Sequence, residues 1–338
     1  MKSITIKDVA KALNISTSTV SRAFNNKYDI QPETRERILA KAREMGYSPN
    51  PIAQGLTMHK SFKIGVIVPE FINNYFPCVL MGIQKEMNEA GYQVLIMSSN
   101  ESAVKELENV KTLEKSKIDG LLISLTHETR DITYFQHLID NNIPIVQFNR
   151  VSQKLITPKI IFDDCNWAEL ATEHLISQGC KKIFHLSGPN SLIVTHNRIK
   201  GYTNAMKKHG LECGHDNIFD AGIFIEDGTK VAQQIIDKGD IPDAFFCFND
   251  PLAIGAIEVF KKHGYTIGKD IAFVGFTESN ISMHMTPGLT SVEQPAEELG
   301  ITASKILLSV LQSDNYPKDK IITLDGKLNI RGSSQFER

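Results

Sequence analysis

The chain has 338 residues, of which 41% are hydrophobic and 22% charged, and its formal net charge is −2. This length predicts two or three domains, and no apolar run approaches the roughly 20 residues of a bilayer-spanning helix. Because the N-terminus shows no apolar region or small-residue cleavage site of a signal peptide, we expect a cytoplasmic protein.

The charge is distributed unevenly along the chain. Residues 1–60 contain ten Lys and Arg against five Asp and Glu, a net charge of +5, which leaves −7 for the other 278 residues. A basic segment on an acidic body is expected where one end of a protein meets a polyanion. A solvated basic face would give the same count.

The cysteines and histidines argue against metal chemistry. The five cysteines are scattered without a C-x-x-C pair, and the ten histidines form no cluster at ligand spacing. We therefore expect free thiols, no metal site and no cofactor.

The first helices are short. Thr5 is a plausible N-cap for an amphipathic helix over residues 6–13, and Ser16 is the N-cap of a second helix that runs over 17–25. Two short helices joined by a tight turn predict a helix-turn-helix. A third helix begins at Pro32, which suits a first helical turn.

The second helix presents an unusual outer face. Its outward side chains are hydroxyls and one guanidinium rather than a mixture of Glu and Lys: Thr17, Ser18, Thr19, Ser21 and Arg22. In the major groove, arginine can pair bidentately with guanine, and hydroxyls can bond bases or phosphates. The alternative is that the hydroxyls are only helix caps and that Arg22 pairs with a neighbouring acid.

Residues 49–61 predict a marginal helix or linker. Prolines open the segment, and Gly55 weakens it by about 1 kcal/mol relative to alanine. An exposed Leu56 on such a segment suits a hinge that folds on DNA and inserts the leucine into the minor groove. Taken alone, the segment indicates only a linker.

From Lys63 onward, apolar runs alternate with helical stretches. The predicted strands are 64–68, 94–97, 121–124, 145–148, 160–162, 183–186, 244–248 and 271–276, with helices such as 77–90, 167–178, 198–209 and 251–263. This βαβ repetition predicts parallel sheets with helices on both faces, in two Rossmann-like lobes. Ligands bind such sheets at the carboxyl ends of the strands, so a cleft between the lobes is the expected pocket.

Polar and aromatic side chains follow several predicted strands. They include Asn74, Tyr75, Phe76, Asn149, Asn249, Asp250 and Thr277, with Arg150 and Glu278 beside them at the same strand ends. Amides and carboxylates can bond vicinal hydroxyls while aromatic rings stack on a sugar, so the set suits a polyhydroxylated ligand. The alternative is that Asn and Asp at strand ends cap the next helix, as Asp250 before Pro251 can.

Several runs resemble the lactose/galactose repressor (LacI/GalR) family. They are TIKDVAKALNIS at 5–16, TVSRAFN at 19–25, TRER at 34–37, Gly46-Tyr47 with Pro49-Asn50, and Ala53 with Leu56. The resemblance implies base reading by Thr17, Ser18 and Arg22. It implies phosphate contacts from Thr5, Thr19, Ser21 and Asn25, and minor-groove entry by Ala53 and Leu56.

The resemblance extends over the rest of the chain. The body resembles the periplasmic sugar-binding-protein fold, with three crossovers between lobes, and residues 328–333 resemble the family's last strand. It implies that Arg198 contacts an effector and that Phe224 and Gln294 occupy other pocket positions. Two departures limit the transfer. The hinge has Gln54 and Gly55 where many relatives carry arginine, and Thr277 stands where sugar-responsive relatives often have Asp, so effector identity does not carry over.

The expected fold class is α/β, with an N-terminal three-helix helix-turn-helix domain and hinge followed by two Rossmann-like lobes of periplasmic-binding-protein type. The expected domains are 1–48 for DNA binding, 49–61 for the hinge, 62–161 with 292–322 for the first lobe, and 162–291 with 323–333 for the second.

The expected function is a dimeric repressor that binds a palindromic double-stranded DNA operator and is controlled by a small molecule, a sugar or sugar derivative. An enzyme, a transport-type binding protein and an activator are the alternatives. The first is disfavoured by the lack of nucleotide-binding or hydrolase motifs, and the second by the basic N-terminal segment and the absence of a signal peptide. The sequence does not separate an activator from a repressor.

Overall fold

A computed structural model of the protein describes residues 4–24, 30–47, 60–71, 74–313 and 316–335. The chain divides into two compact units, Met1–Phe62 and Lys63–Arg338. Each unit has its own hydrophobic core.

The first unit contains three helices: α1 (Ile6–Leu13), α2 (Thr17–Phe24) and α3 (Pro32–Glu44). These bounds confirm the three predicted helices within the described residues. Their apolar faces meet in one small core, in which Val9, Val20 and Ile38 are completely buried. Packing of this core, rather than the propensity of eight-residue helices, holds the unit together.

Local hydrogen bonds fix the ends of the first two helices. The backbone N–H and the hydroxyl of Thr5 both donate to Asp8 Oδ2, at 2.8 and 2.7 Å. Asn14 ends α1 in the left-handed conformation with φ 53°, which asparagine tolerates better than most residues. The backbone N–H of Thr19 donates to Ser16 Oγ at 3.1 Å and so caps α2.

The second unit has two lobes, each built on a six-stranded sheet. The first lobe contains β1 (Lys63–Val68), α4 (Tyr75–Glu89), β2 (Gln93–Ser98), α5 (Ala103–Lys115), β3 (Gly120–Ile123), α6 (Thr133–Asp140), β4 (Ile145–Phe148), β5 (Lys159–Phe162), α12 (Ala296–Gln312) and β11 (Ile321–Leu324). Its strand order is β11-β5-β4-β3-β1-β2, and all its strand pairs are parallel.

The second lobe repeats this architecture. It contains α7 (Asp164–Ser177), β6 (Ile183–Ser187), α8 (Ile193–Lys208), β7 (Ile218–Asp220), α9 (Ile225–Lys238), β8 (Ala244–Cys247), α10 (Asp250–Lys262), β9 (Ala272–Phe276), α11 (Asn280–His284), β10 (Thr290–Glu293) and β12 (Lys327–Asn329). The order is β12-β10-β9-β8-β6-β7. The sheet is parallel except at its edge, where β12 runs antiparallel to β10.

The central strands are buried on both faces. Every residue of β3, β4, β8 and β9 is buried, so their sequences are continuous apolar runs rather than alternating ones. This explains why those strands could be predicted. No apolar run predicts a strand at β7, β10 or β11, because the residues there are more polar or more exposed.

The chain passes between the lobes at three places: after Phe162, after Glu293 and after Leu324. We call the linking residues Asp163, Gln294–Pro295 and Asp325–Gly326 the crossing segments. They lie close together, since a Cβ added at Gly326 would be 2.6 Å from Phe162 Cζ and 2.7 Å from the Glu293 carbonyl oxygen. The lobes are therefore joined through one compact bundle of three short connections.

Pairs of helices in both lobes touch through glycine. A Cβ at Gly82 on α4 would lie 2.2 Å from the Glu297 carbonyl oxygen of α12, and one at Gly300 would lie 2.0 Å from that of Val79. In the second lobe, a Cβ at Gly255 of α10 would lie 2.0 Å from a backbone oxygen of α9. Only glycine permits backbones to approach this closely.

Candidate functional site

The outer face of α2 has the exposure that a DNA-reading helix requires. Thr17, Ser18 and Arg22 are exposed, whereas Thr19 and Ser21 are half-buried. The three side chains that the resemblance assigns to bases are thus the three most accessible of the set.

Ser16 organises the hydroxyls at the start of α2. Its Oγ lies 2.7 Å from Ser18 Oγ and 2.8 Å from Thr19 Oγ1. Thr5 is exposed at the start of α1, where its hydroxyl already bonds Asp8. Asn25, Ala53 and Leu56 lie outside the described residues.

A small cavity of about 40 Å³ lies between the two lobes of the second unit, and we call it the inner chamber. It is lined by Glu70, Tyr75, Phe76, Asn149, Arg150, Val194, Arg198, Phe248, Asn249, Thr277 and Gln294. Seven of the ten predicted effector residues line it: Tyr75, Phe76, Asn149, Arg198, Asn249, Thr277 and Gln294.

Arg198 is the most tightly held side chain of the inner chamber. It is 3% exposed, and its Nε and Nη2 lie 2.8 and 2.7 Å from Asp164 Oδ1. Its Nη1 donates to the Phe248 carbonyl oxygen, and its guanidinium lies 3.7 Å from the Phe276 ring centroid. The buried carboxylate and the aromatic rings fix this guanidinium in one orientation.

Two polar groups of the inner chamber are buried and have no hydrogen-bond partner among the residues that the structure describes. They are the Tyr75 hydroxyl and the Gln294 amide Nε2, on side chains that are 8% and 6% exposed. Burial raises the pKa of Tyr75, so the hydroxyl stays a neutral donor. Because buried polar groups are normally paired, these two atoms indicate that the chamber accommodates a polar guest.

The two asparagines of the chamber are held by their backbones and by helix capping. Asn149 has φ 57° directly after β4, and its backbone N–H donates to the Ile160 carbonyl at 2.9 Å. Asn249 caps α10, because its Oδ1 accepts from the Leu252 N–H at 3.0 Å while its Nδ2 donates to the Ile223 carbonyl at 2.8 Å. Asn249 is therefore the cap of this helix, which corrects the sequence alternative that assigned capping to Asp250.

The other three predicted effector residues lie outside the chamber lining. Asn74 is exposed before α4 and donates to Cys78 Sγ at 3.3 Å. Phe224 precedes α9 and packs against the second-lobe core. Asp250 is completely buried and accepts from the Ser291 hydroxyl and the Ser279 N–H, each at 2.6 Å.

Besides these seven, the chamber is lined by Arg150, which the sequence places beside Asn149 at the end of the fourth predicted strand, and by Glu70, Val194 and Phe248, which the sequence prediction did not name. Glu70 comes just after β1, so its position at a strand end could have nominated it. Arg150 pairs with Glu101 Oε1 at 2.6 Å. Asp164, which holds Arg198, is far from it in sequence and gave no sequence signal.

Thr277 and Glu278 store backbone strain beside the chamber. Their φ angles are 99° and 55°, in a region that L-residues with side chains rarely adopt. The Thr277 N–H donates to the Val292 carbonyl at 2.8 Å, and Glu278 pairs with Arg331. Strain of this kind is found at ligand clamps and switch regions, where surrounding contacts maintain it.

Glu106 of α5 gives the first lobe a pH-dependent stability. It is 2% exposed and accepts from the Thr126 N–H at 2.9 Å and the Thr129 hydroxyl at 2.6 Å. Burial raises the pKa of Glu106 from 4.5 to about 7. Because the folded state favours the protonated carboxyl, Glu106 contributes most to the free energy of unfolding below pH 4.5. This contribution is lost as the pH rises through 7.

We expect Glu106→Gln to raise the free energy of unfolding relative to wild type by about 2 kcal/mol at pH 8 and to change it little at pH 4. The amide can still accept from Thr126 and can donate to the Thr129 hydroxyl. Urea unfolding at both pH values measures the difference, with Glu108→Gln on the exposed side of α5 as the control. An equal effect of Glu106→Gln at the two pH values would contradict the assignment.

The described residues contain no group of three or more His, Cys, Asp or Glu that could hold a metal ion. All five cysteines are free thiols, of which Cys180 and Cys247 are buried and the other three half-buried. Among the described helices, none is long and apolar enough to cross a membrane.

Two family descriptions match the chain. Residues 5–50 match "Bacterial regulatory proteins, lacI family". Residues 61–329 match "Periplasmic binding proteins and sugar binding domain of LacI family". The two matches coincide with the three-helix unit and with the two-lobed unit.

The chain is similar to several transcriptional repressors, and the similarity extends over nearly the whole length of both proteins. The HTH-type transcriptional repressor CytR of Escherichia coli is 31% identical over 98% of this chain and 96% of its own. The HTH-type transcriptional repressor PurR of Photobacterium profundum is 29% identical over 97% of this chain and 98% of its own. A crystal structure of the lac repressor dimer bound to operator and the anti-inducer ONPF superposes with a TM-score of 0.86. Its sequence is 25% identical, and the superposition covers 99% of this chain and 100% of that one.

Proposed function

The chain belongs to the lacI family of bacterial regulatory proteins, and from this premise we propose that it represses transcription by binding a palindromic operator as a dimer. A small molecule held in the cleft between the two lobes controls the binding. The observation that carries the proposal is the face of α2, which exposes Arg22, Thr17 and Ser18 on a compact three-helix unit.

Base reading follows from the chemistry of this face. In a helix-turn-helix the second helix lies in the major groove, where a guanidinium can bond O6 and N7 of guanine together. Hydroxyls from Thr17 and Ser18 add contacts to bases, and Thr5, Thr19, Ser21 and Asn25 contact phosphates. The net charge of +5 over residues 1–60 favours the approach to DNA.

A dimer places two such helices on one operator. Two-fold symmetry in the protein requires a pseudo-palindromic site with half-sites that match the spacing of the two units. The lac repressor, to which the chain is similar over its whole length, is a dimer on its operator. In the proposed complex, Ala53 and Leu56 of each hinge enter the minor groove between the half-sites.

The effector is proposed to be a sugar or sugar derivative. Aromatic rings, amides, two guanidinium groups and a carboxylate line the inner chamber, and two of its buried polar groups have no partner in the described part of the chain. The matched family description of this region names a sugar-binding domain. Effector binding that changes the angle between the lobes would change the affinity for the operator. Thermodynamic linkage then requires that operator binding change the affinity for the effector by the same factor.

We also propose that the protein acts in the cytoplasm and without catalysis. A regulator that reads an operator works where the DNA is, and similar proteins named here are repressors. Operator binding and release require no covalent step. Turnover of a sugar or nucleotide at an enzyme-like rate would contradict this part of the proposal.

Selection from randomised duplexes tests the function directly. The purified protein is incubated with the duplex pool at near-physiological salt, and the bound fraction is recovered over several rounds and sequenced. We expect an enriched palindrome. The proposal fails if the enriched pool stays random both without ligand and with metabolite mixtures, because a ligand-regulated repressor must select a sequence in one of these states.

We expect Arg22→Ala to weaken operator binding by about 1–3 kcal/mol and to relax the preference at one base pair in each half-site. Arg43→Ala, at an exposed position near the end of α3, is the matched control and should leave the sequence preference intact. Binding is measured on the selected operator and on single-base variants of it. An equal loss on every sequence would show that Arg22 contacts only the backbone.

A further inference from the structure

A second, larger cavity neighbours the inner chamber, and we call it the outer chamber. It has a volume of about 530 Å³ and is lined by Leu125, Thr126, Thr129, Arg130, Ile132, Arg150, Val151, Ser152, Lys154, Asn190, Ser191, Leu192 and Ile193. Arg150 lines both chambers. The two chambers are therefore neighbours, with the Arg150 side chain at the wall of both.

The ionisable residues that line the outer chamber are all cations. They are Arg130, Arg150 and Lys154, and the lining includes no Asp or Glu. This composition is opposite to that of residues 61–338, whose net charge is −7. A solvated surface of an acidic body would place carboxylates among its cations, so the concentration of positive charge at this opening requires a separate explanation.

Two of these cations are available to a ligand. Arg150 is neutralised by Glu101 at 2.6 Å, but Arg130 and Lys154 are exposed and form no ion pair with the residues that the structure describes. Arg130 is also oriented, because its Nη1 donates to the carbonyl oxygens of His127 at 2.8 Å and Thr129 at 3.1 Å. These neutral acceptors fix the guanidinium without cancelling its charge.

The opposite wall of the outer chamber reinforces the positive potential. It is formed by the start of α8, a 16-residue helix whose N-cap residue, Leu192, makes no side-chain capping bond. Backbone N–H groups and the helix dipole at such an end favour an anion. The hydroxyls of Ser152 and Ser191 add donors on the two walls.

We propose that the effector carries an anionic group, a phosphate or a carboxylate, that binds in the outer chamber between Arg130, Lys154 and the start of α8. The hydroxylated part of the same molecule lies beside Arg150, on the side of the outer chamber that faces Tyr75 and Gln294 of the inner chamber. The inference rests on the proposed effector role of the cleft and specifies the chemical class of the effector. It makes Arg130 and Lys154 specificity residues that distinguish charged from neutral sugars.

The test compares matched pairs of ligands on the full-length protein. The pairs are glucose with glucose 6-phosphate, ribose with ribose 5-phosphate, and galactose with galacturonate, measured by calorimetry and by thermal shift at constant ionic strength. Inorganic phosphate is titrated as a minimal probe. We expect the anionic member of at least one pair to bind about tenfold or more tighter than its neutral partner. The phosphate and carboxylate arms identify which anion the chamber prefers.

Substitutions connect the preference to the site. The double variant Arg130→Gln with Lys154→Gln should bind the anionic ligand about as weakly as its neutral partner. This is a loss of about tenfold or more in affinity for the anionic ligand. Both positions are exposed, so the fold should tolerate the change. Lys238→Gln, at an exposed position at the end of α9, removes a positive charge outside both chambers and should change nothing.

The proposal is overturned if no anionic ligand exceeds its neutral partner, or if the double variant keeps the full preference. Stabilisation by inorganic phosphate that is equal in wild type and double variant counts against it as well. Failure of the proposed function is distinguishable, since it appears in the duplex selection as the lack of any enriched operator. If the protein selects an operator and responds only to a neutral sugar, the proposed function stands and the anionic effector is ruled out.

Discussion

Arg198→Leu is expected to lower the free energy of unfolding of the two-lobed unit by about 3–5 kcal/mol. The substitution leaves Asp164 buried at 3% exposure without its partner and removes a donor to the Phe248 carbonyl oxygen. Lys200→Leu, two residues further along α8 at an exposed position, removes the same charge and should have a small effect. Urea unfolding at pH 7 measures both variants.

Removing both charges separates the structural role of Arg198 from ligand binding. In Asp164→Asn with Arg198→Leu, no buried charge is left uncompensated, so much of the lost stability should return. The response of operator binding to the effector should not return, because the guanidinium in the inner chamber is still absent. A double variant that regains the response would show that Arg198 serves only to neutralise Asp164.

Gly300→Ala is expected to destabilise the first lobe by about 3 kcal/mol, although Gly→Ala in an open helix normally stabilises by about 1 kcal/mol. The added Cβ would lie 2.0 Å from the Val79 carbonyl oxygen, which is backbone and cannot rotate away. Helices α4 and α12 would have to separate, with loss of packing along their contact.

Ser304→Ala on the same helix provides a control with the opposite sign. The Ser304 hydroxyl is buried and has no hydrogen-bond partner among the described residues, so its removal should stabilise the protein by about 1 kcal/mol. Thermal unfolding of the two variants side by side measures the contrast. Stabilisation by both substitutions would mean that α4 and α12 can move apart at Gly300 at little energetic cost.

The fold was predictable where local chemistry and tertiary packing agree. The first two N-terminal helices have N-caps, the third opens with Pro32, and all three have an apolar periodicity that the sequence displays. The buried strands are continuous apolar runs. β7 and β11 owe their pairing to a neighbouring strand rather than to their own composition. Such edge strands carry little signal in the sequence.

The candidate site was predictable only in part. Strand ends nominated Asn149 and Asn249, and the family resemblance nominated Arg198 and Gln294, all of which line the inner chamber. Phe224 also came from the resemblance, but its ring packs into the second-lobe core. The cationic outer chamber was not anticipated, because Arg130, Lys154 and the start of α8 come together only in the folded lobes.

The crossing segments place the ligand at the pivot of the molecule. Gln294, whose amide is unpaired in the inner chamber, is itself a crossing residue, and Asp164 directly follows another crossing segment. Three short connections bundled together leave rotation as the main freedom between the lobes and resist their separation. A guest that pulls on Gln294 and Arg198 therefore acts next to the axis, where a rotation of a few degrees moves atoms little. The far ends of the lobes act as lever arms, so the same rotation is largest there.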